Sequence, residues 1–452
     1  MARRTLPLLA AVALLALTAH STSAMVPDGP AEVRASARLP GHFGIGVTAS
    51  PPDSSTGWMP QSNVPWDYAY QYLAGGVNTG GGWRTWNEKA QFPLWYAKGA
   101  AGNGYIPVFP YYMLLQSNGP CDGCGEAERD LAHLDSPPLM RTYYADFAKL
   151  MQRLGPGTHD GVEGFGGRAV VHVEPDLSGY AEQAVLPGGS CYGHCTRKGN
   201  DPSHLEASVA SSGFAAVHRY PNTYRGFNLA LLHLRDLFAP NVILAFHVSD
   251  WASLFDIGSY PGTDIDAAAL GRKVAAFAKA SGVAKLRSDT GAYGLVFNDV
   301  ADRDAGVTGN WWDRRNHTFP NFHRWERYIA AVHGSTGRPV VVWQIPEGNQ
   351  YFRTESGASG HSQDNRAEYF FHHIGELIDA GVVALLFGLG NAGSTTHTDA
   401  LGDGVTNPPS FCTSDGVSSG EVCNDHVSHL ADDDGGYLRI QAKAYYQDPV
   451  GL

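Results

Sequence analysis

Positive charge is scarce in this sequence. Its 452 residues hold 32 Lys and Arg against 44 Asp and Glu, a formal net charge of −12, and no stretch gathers the cations into a patch. Nucleic acids and anionic membrane surfaces are bound through clustered positive charge, so neither is expected as a partner. A neutral ligand suits the balance better. Beyond the first two dozen residues no apolar run is long enough to cross a bilayer. Three signatures are also missing: a Gly-rich phosphate loop after the first strand-like run, an H-x-H pair closing that run, and H-E-x-x-H anywhere. Their absence removes the usual marks of dinucleotide binding and of zinc hydrolases, and no cofactor and no metal ligand set is expected.

What is present begins with an export signal. Arg3 and Arg4 precede the apolar run "LPLLAAVALLALTA", and "STSA" supplies small residues for cleavage after Ala24. Residues 1–24 are therefore read as a signal peptide, 25–40 as a leader and 41–452 as one secreted domain, free of the membrane once the signal is removed. Cysteine usage agrees with an oxidising compartment. The six cysteines fall in local pairs, Cys121 with Cys124, Cys191 with Cys195 and Cys412 with Cys423, each in a stretch rich in Gly, Ser or Asp. Three loop-stapling disulfides are expected, although six cysteines admit fifteen pairings.

The rest has a rhythm. Eight short apolar runs occur at 42–49, 69–77, 106–114, 169–177, 241–249, 294–300, 339–346 and 382–390. Segments of helical period lie between them, such as "YRGFNLALLHLRDLFAP" and "FHRWERYIAAVHG", several ending at Gly or Pro. Apolar strands alternating with amphipathic helices imply a parallel sheet covered on both faces. Eight units predict a (β/α)8 TIM barrel in the α/β class, with an open doubly wound sheet as the alternative. In such a barrel the strands' C-terminal ends carry the site. The long stretches 177–220 and 388–436 would help to wall it.

Carboxylates gather at those ends. Glu174 and Asp176 close the fourth run, "VVHVEPDL"; His247, Asp250 and Trp251 follow the fifth; Asn298 and Asp299 end the sixth, followed by Asp302 and Asp304. Trp343, Gln344 and Glu347 end the seventh. Paired carboxyl groups across a cleft suit glycosidic bond hydrolysis, one protonated to assist the leaving oxygen and one ionised to attack carbon or activate water. Sugars also stack on aromatic rings. Trp83, Trp86, Trp251, Trp311, Trp312 and Trp343 fall at or just beyond strand ends, and Trp312 in "NWWD" is a favoured platform because no apolar period surrounds it.

Glu followed by Pro at the end of the fourth strand resembles the clan of retaining (β/α)8 glycoside hydrolases, with Val173 where that clan usually has Asn. The resemblance implies an acid/base at Glu174 and a nucleophile closing the seventh strand, where Gln344 stands and Glu347 comes three residues later. "VEPD" is also similar to the Glu-Pro-Asp of the inverting family 6 cellulases, without a counterpart of their Asp-rich loop. The expected assignment is Glu174 as general acid and Asp299 as its ionised partner, since Asp299 shares the parity of Leu295 and Phe297. Glu347 is the rival partner. Gln344 at the nucleophile position tilts the expected stereochemistry toward inversion. Asp176, His247, Asp250, Trp251, Trp312, Trp343 and Gln344 are expected to bind a carbohydrate substrate.

Two other classes remain open. His172, His247, Asp250 and Asp299 could converge as ligands of a metal-dependent hydrolase. A secreted protein could also bind glycans in the same cleft without chemistry. The histidines of "FFHH" (370–373) and the acids of "ADDDGG" read as packing and helix-capping groups rather than ligands. No appended carbohydrate-binding module is apparent, which favours soluble oligosaccharide or polysaccharide. Oligomeric state is not legible.

Overall fold

A computed structural model describes residues 39–48, 58–262, 264–300, 312–348, 365–388 and 434–452. The eight apolar runs become strands β1 (Gly44–Thr48), β2 (Tyr68–Tyr70), β3 (Ile106–Tyr111), β4 (Ala169–Val173), β5 (Val242–His247), β6 (Leu295–Asp299), β7 (Val340–Pro346) and β8 (Val382–Gly388). All are parallel to their neighbours, and β1 pairs with β8 as well as β2, closing a barrel. The chain is a (β/α)8 barrel, as the rhythm predicts. A small antiparallel hairpin, Thr158–His159 with Val162–Glu163, was not anticipated.

Alternate residues fill the lumen: Tyr68 and Tyr70, Ile106 and Val108, Ile243 and Ala245, Leu295 and Phe297, Val341 and Trp343. The opposite parity packs against the helices. β1 supplies glycine where β2 supplies tyrosine. A methyl group on Gly44 or Gly46 would come within 2.5 Å of the Tyr68 side chain, so the small residues make room for the large one. β2 is shorter than the run that announced it, because Gly75 and Gly76 adopt positive φ (93° and 75°) and turn the chain away.

Helices α1 (Phe92–Gly102), α2 (Glu126–Leu134), α3 (Pro137–Leu154), α4 (Leu177–Val185), α5 (Tyr224–Phe238), α6 (Ala267–Ala278) and α7 (Phe322–Thr336) follow in order. Their ends obey local chemistry. Thr223, Asp266 and Asn321 each accept a backbone N–H of the first turn, a cap worth about 1 kcal/mol. Gly337 in the left-handed region closes α7. The "NRAEYFFHHIGELIDAG" segment divides into α8 (Arg366–His372) and α9 (Ile374–Asp379), with α10 (Asp434–Tyr445) completing the chain. The break falls at His373, whose ring stacks on Tyr369 at 3.8 Å and whose Nδ1 meets Glu376 at 3.0 Å.

Disulfides Cys121–Cys124 and Cys191–Cys195 are formed, as expected. Cys412 and Cys423, the signal peptide, most of the leader, Asp302, Asp304, Trp311 and most of the 388–436 stretch lie outside the described residues.

Candidate active site

A cleft of about 330 Å3 opens at the C-terminal end of the barrel. Tyr72, Tyr112, Glu126, Pro175, Asp176, Trp251, Asp299, Trp343 and Gln344 line it. Of the residues expected to build a site, Asp176, Trp251, Asp299, Trp343 and Gln344 are brought together here, with His247 buried beneath them.

Two breaks in strand parity decide which carboxylates enter. On β4, Val170 and His172 face the lumen, so Glu174 would follow them in regular extended backbone. Glu174 instead has φ 39°, and Asp176, beyond Pro175, has φ 71°. Non-glycine residues at positive φ are strained, and such strain collects where surrounding structure overrides it, often at functional sites. The turn sends the Glu174 carboxylate behind the barrel. There it accepts the backbone N–H groups of Met113 and Leu114 at 3.2–3.3 Å, in a closed space shared with Tyr224, Phe227 and Tyr293. Burial pushes the carboxyl up to about 8, opposed by Tyr143 and the two N–H groups. Glu174 does not line the cleft, and Asp176 takes the place expected for it.

The second break is on β7. Val342 and Ile345 pair with Leu385 and Phe387, so β7 carries one extra residue there, and Gln344 sits in the left-handed region at φ 52°. Trp343 and Gln344 consequently both reach the cleft. Glu347 does not line it; it is fully buried, with its charge acting on the Tyr70 hydroxyl.

Asp299 keeps the predicted parity and completes a cluster around His247. The His247 Nε2 lies 3.4 Å from Asp299 Oδ2 and 3.7 Å from Asp176 Oδ1, while its Nδ1 lies 3.0 Å from His172 Nε2. One donor atom from each of Asp176, His247 and Asp299 falls within 4.8 Å of the others, so this group could hold a divalent cation. Burial, and then the neighbouring His247, push His172 well below the usual imidazole range, so it is neutral. Its Nδ1 has no hydrogen-bond partner among the described residues. A bare acceptor is tolerated there more readily than an orphaned N–H. With the His172 proton on Nε2, donating to His247 Nδ1, the His247 Nε2–H faces Asp299 and Asp176 at 3.4 and 3.7 Å as a favourable dipole, without a hydrogen-bond partner among the described residues. Burial, Tyr70 and both Asp176 and Asp299 drive the Tyr72 hydroxyl well above its ordinary range, so it remains a donor beside the pair.

Two expected substrate contacts lie elsewhere. Trp312 is fully buried; its Nε1–H reaches the Gly258 carbonyl at 2.7 Å, and its ring packs on Phe322, on Trp325 and under the Arg366 guanidinium. It is a core residue, held by side chains distant in sequence. Asp250 is buried, accepting from Asn298 Nδ2 at 2.8 Å, and Asn298 in turn accepts from Trp325 Nε1 at 2.9 Å. That network braces β5 and β6 against α7. Trp251 does meet the cleft, lying against Tyr180 at 4.7 Å. Gly179 allows the approach, since a Cβ there would come within 2.6 Å of the indole.

Tyr72, Tyr112 and Glu126 were missed. The tyrosines were detectable, since Tyr72 continues the parity of Tyr68 and Tyr70, and Tyr112 that of Ile106 and Val108. Nothing local marks Glu126. A second group, His323, Glu326 and Glu376, also places three donors within 4.8 Å, on α7 and α9.

No protein family matches the chain, and no curated protein matches its sequence. Solved structures to which it is similar include a GH53 catalytic domain from Ignisphaera aggregans, at 10% identity over 90% of this chain and 97% of that one, with a TM-score of 0.44. Another is a modular endo-beta-1,4-mannanase of glycoside hydrolase family 26 from Cellulomonas fimi, at 13% identity over 94% and 76%, with a TM-score of 0.45. A third is a glycoside hydrolase family 5 mannosidase from Rhizomucor miehei, at 8% identity over 89% and 92%, with a TM-score of 0.46. Likeness at this level is one of fold.

Proposed function

We propose that this protein is a secreted glycoside hydrolase that cleaves O-glycosidic bonds of an oligosaccharide or polysaccharide, with Asp176 and Asp299 as its carboxylate pair. The observation that carries the reading is the facing of these two groups across His247, with oxygens within 4.8 Å, in a cleft lined by Tyr72, Tyr112, Trp251 and Trp343. Asp299 is the nucleophile. The His247 N–H, held in register by His172, favours its ionised form. Asp176, on the more open side, gives its proton to the departing oxygen and then removes one from the incoming water. Retaining pairs stand about 5–5.5 Å apart and inverting pairs about 6.5–9.5 Å apart. The short separation supports retention, against the inversion expected from Glu174 and Asp299. Export is supported by the N-terminal apolar run and by two disulfides among the described residues.

The test is proton NMR of the first product anomer, with Asp299→Asn alongside. The variant is expected to lose turnover, because a neutral amide cannot form the glycosyl-enzyme. An inverted product, or an active Asp299→Asn, removes the assignment. Glycan binding without reducing-end release would instead mark a binding protein. The metal-dependent reading is favoured by the same Asp176–His247–Asp299 convergence; loss of activity on chelation, restored by a divalent cation, would select it.

A further inference from the structure

Hydrolysis uses two carboxylates, and the cleft has a third. Glu126 opens α2 and accepts the Tyr112 hydroxyl at 3.3 Å through Oε1. Among the described residues no Lys or Arg lines the cleft, and Arg129 on the same helix turns to Asp122. Its position is fixed from behind. Cys121 and Cys124 close the loop just before it, and within that loop Asp122 accepts the Gly119 N–H and faces Arg129 of α2 at 3.5 Å. The stapled loop leads into a carboxylate that faces the cleft with a tyrosine hydroxyl beside it and is placed to meet something positive.

The rest of the lining agrees. Tyrosine and tryptophan faces are attractive to cations, and Tyr72, Tyr112, Trp251 and Trp343 all contribute. Trp343 is only 2% exposed, and its buried Nε1–H has no acceptor among the described residues. A ligand with hydroxyl groups, apolar C–H faces and a positive charge satisfies every one of these features. A uronate or sulfated sugar would meet Glu126, Asp176 and Asp299 as like charges.

We propose that Glu126 and Tyr112 form a subsite for the protonated amine of an amino sugar, so that the substrate is an oligomer of glucosamine-type residues. The cleavage part of this statement rests on the glycosidase reading; the binding part does not.

The experiment is calorimetric titration of full-length Asp299→Asn with the tetramers of glucosamine, N-acetylglucosamine and mannose, at low and high salt. The free amine is expected to bind about tenfold or more tightly than the acetylated tetramer, the size of one charge-assisted hydrogen bond. That preference should shrink as salt rises. Adding Glu126→Gln should bring the ratio of the two affinities close to one. Equal affinities in the parent protein, or a ratio unmoved by Glu126→Gln, overturn the subsite, as does an amine preference that ignores salt. The two readings fail separately. If the wild type cleaves mannose or N-acetylglucosamine oligomers while the amine gains nothing, the subsite falls and the glycosidase stands. Glu126-dependent binding of the glucosamine tetramer without cleavage leaves the subsite and removes the hydrolase.

Discussion

Glu174→Gln separates a catalytic role for this residue from a structural one. The wild-type carboxyl is buried and titrates at about 8 in the folded protein against 4.5 as the reference value. A folded value raised above the unfolded one stabilises the protein fully below pH 4.5. That stability is lost progressively as pH rises toward 8 and is gone above it. The gap between 4.5 and about 8 corresponds to roughly 4–5 kcal/mol between pH 4 and pH 9. Glutamine mimics the neutral form: its carbonyl can still accept the Met113 and Leu114 N–H groups, and it has no charge to gain. The variant should therefore lack this portion of the alkaline destabilisation. Near pH 4.5 it should lie about 1–2 kcal/mol below the wild type, the cost of one imperfect hydrogen bond. By pH 7, where the wild type has lost roughly 3 kcal/mol that glutamine cannot lose, the variant should be the more stable of the two.

Urea unfolding at pH 5, 7 and 9, followed by tryptophan fluorescence, measures both quantities. Asp146, which burial raises to about 6, is present in both proteins, so its own titration largely drops out of the comparison and only its repulsion of Glu174 remains within the difference. Turnover should survive, because the Glu174 carboxylate is not in the cleft. Abolished turnover with an unchanged stability profile would refute this reasoning and return Glu174 to the chemistry.

Trp312→Phe should destabilise the fold, through loss of the Gly258 hydrogen bond and of ring volume, and leave KM unchanged; Trp312→Ala should cost about 3–5 kcal/mol. A raised KM at unchanged thermal midpoint would make Trp312 a sugar platform after all. Reduction of Cys121–Cys124 and Cys191–Cys195 should lower the thermal midpoint modestly, since they close sequence separations of only 3 and 4, for which chain entropy gives about 2 kcal/mol each at most. Global unfolding on reduction alone, seen by circular dichroism, would contradict this.

The barrel was legible because its causes are local and repeated. Apolar β-branched runs, helical periods and caps such as Asn321 and Gly337 act through neighbours a few residues away. Asp299 was legible for the same reason, since regular alternation carries it into the lumen behind Leu295 and Phe297. The partner was not. Whether Glu174 or Asp176 enters the cleft depends on two left-handed residues around Pro175, held there by the Tyr111 carbonyl on β3 and the Met113 and Leu114 amides beyond it. Gln344 rather than Glu347 reaches the site because β7 carries an extra residue against β8. Trp312 is core because Phe322, Trp325 and Arg366 converge on it from later helices. Alternation along a strand is set by the geometry of its own backbone, whereas a break in that alternation is stabilised by hydrogen bonds and packing from segments far away in the chain, and those contacts exist only once the barrel has closed.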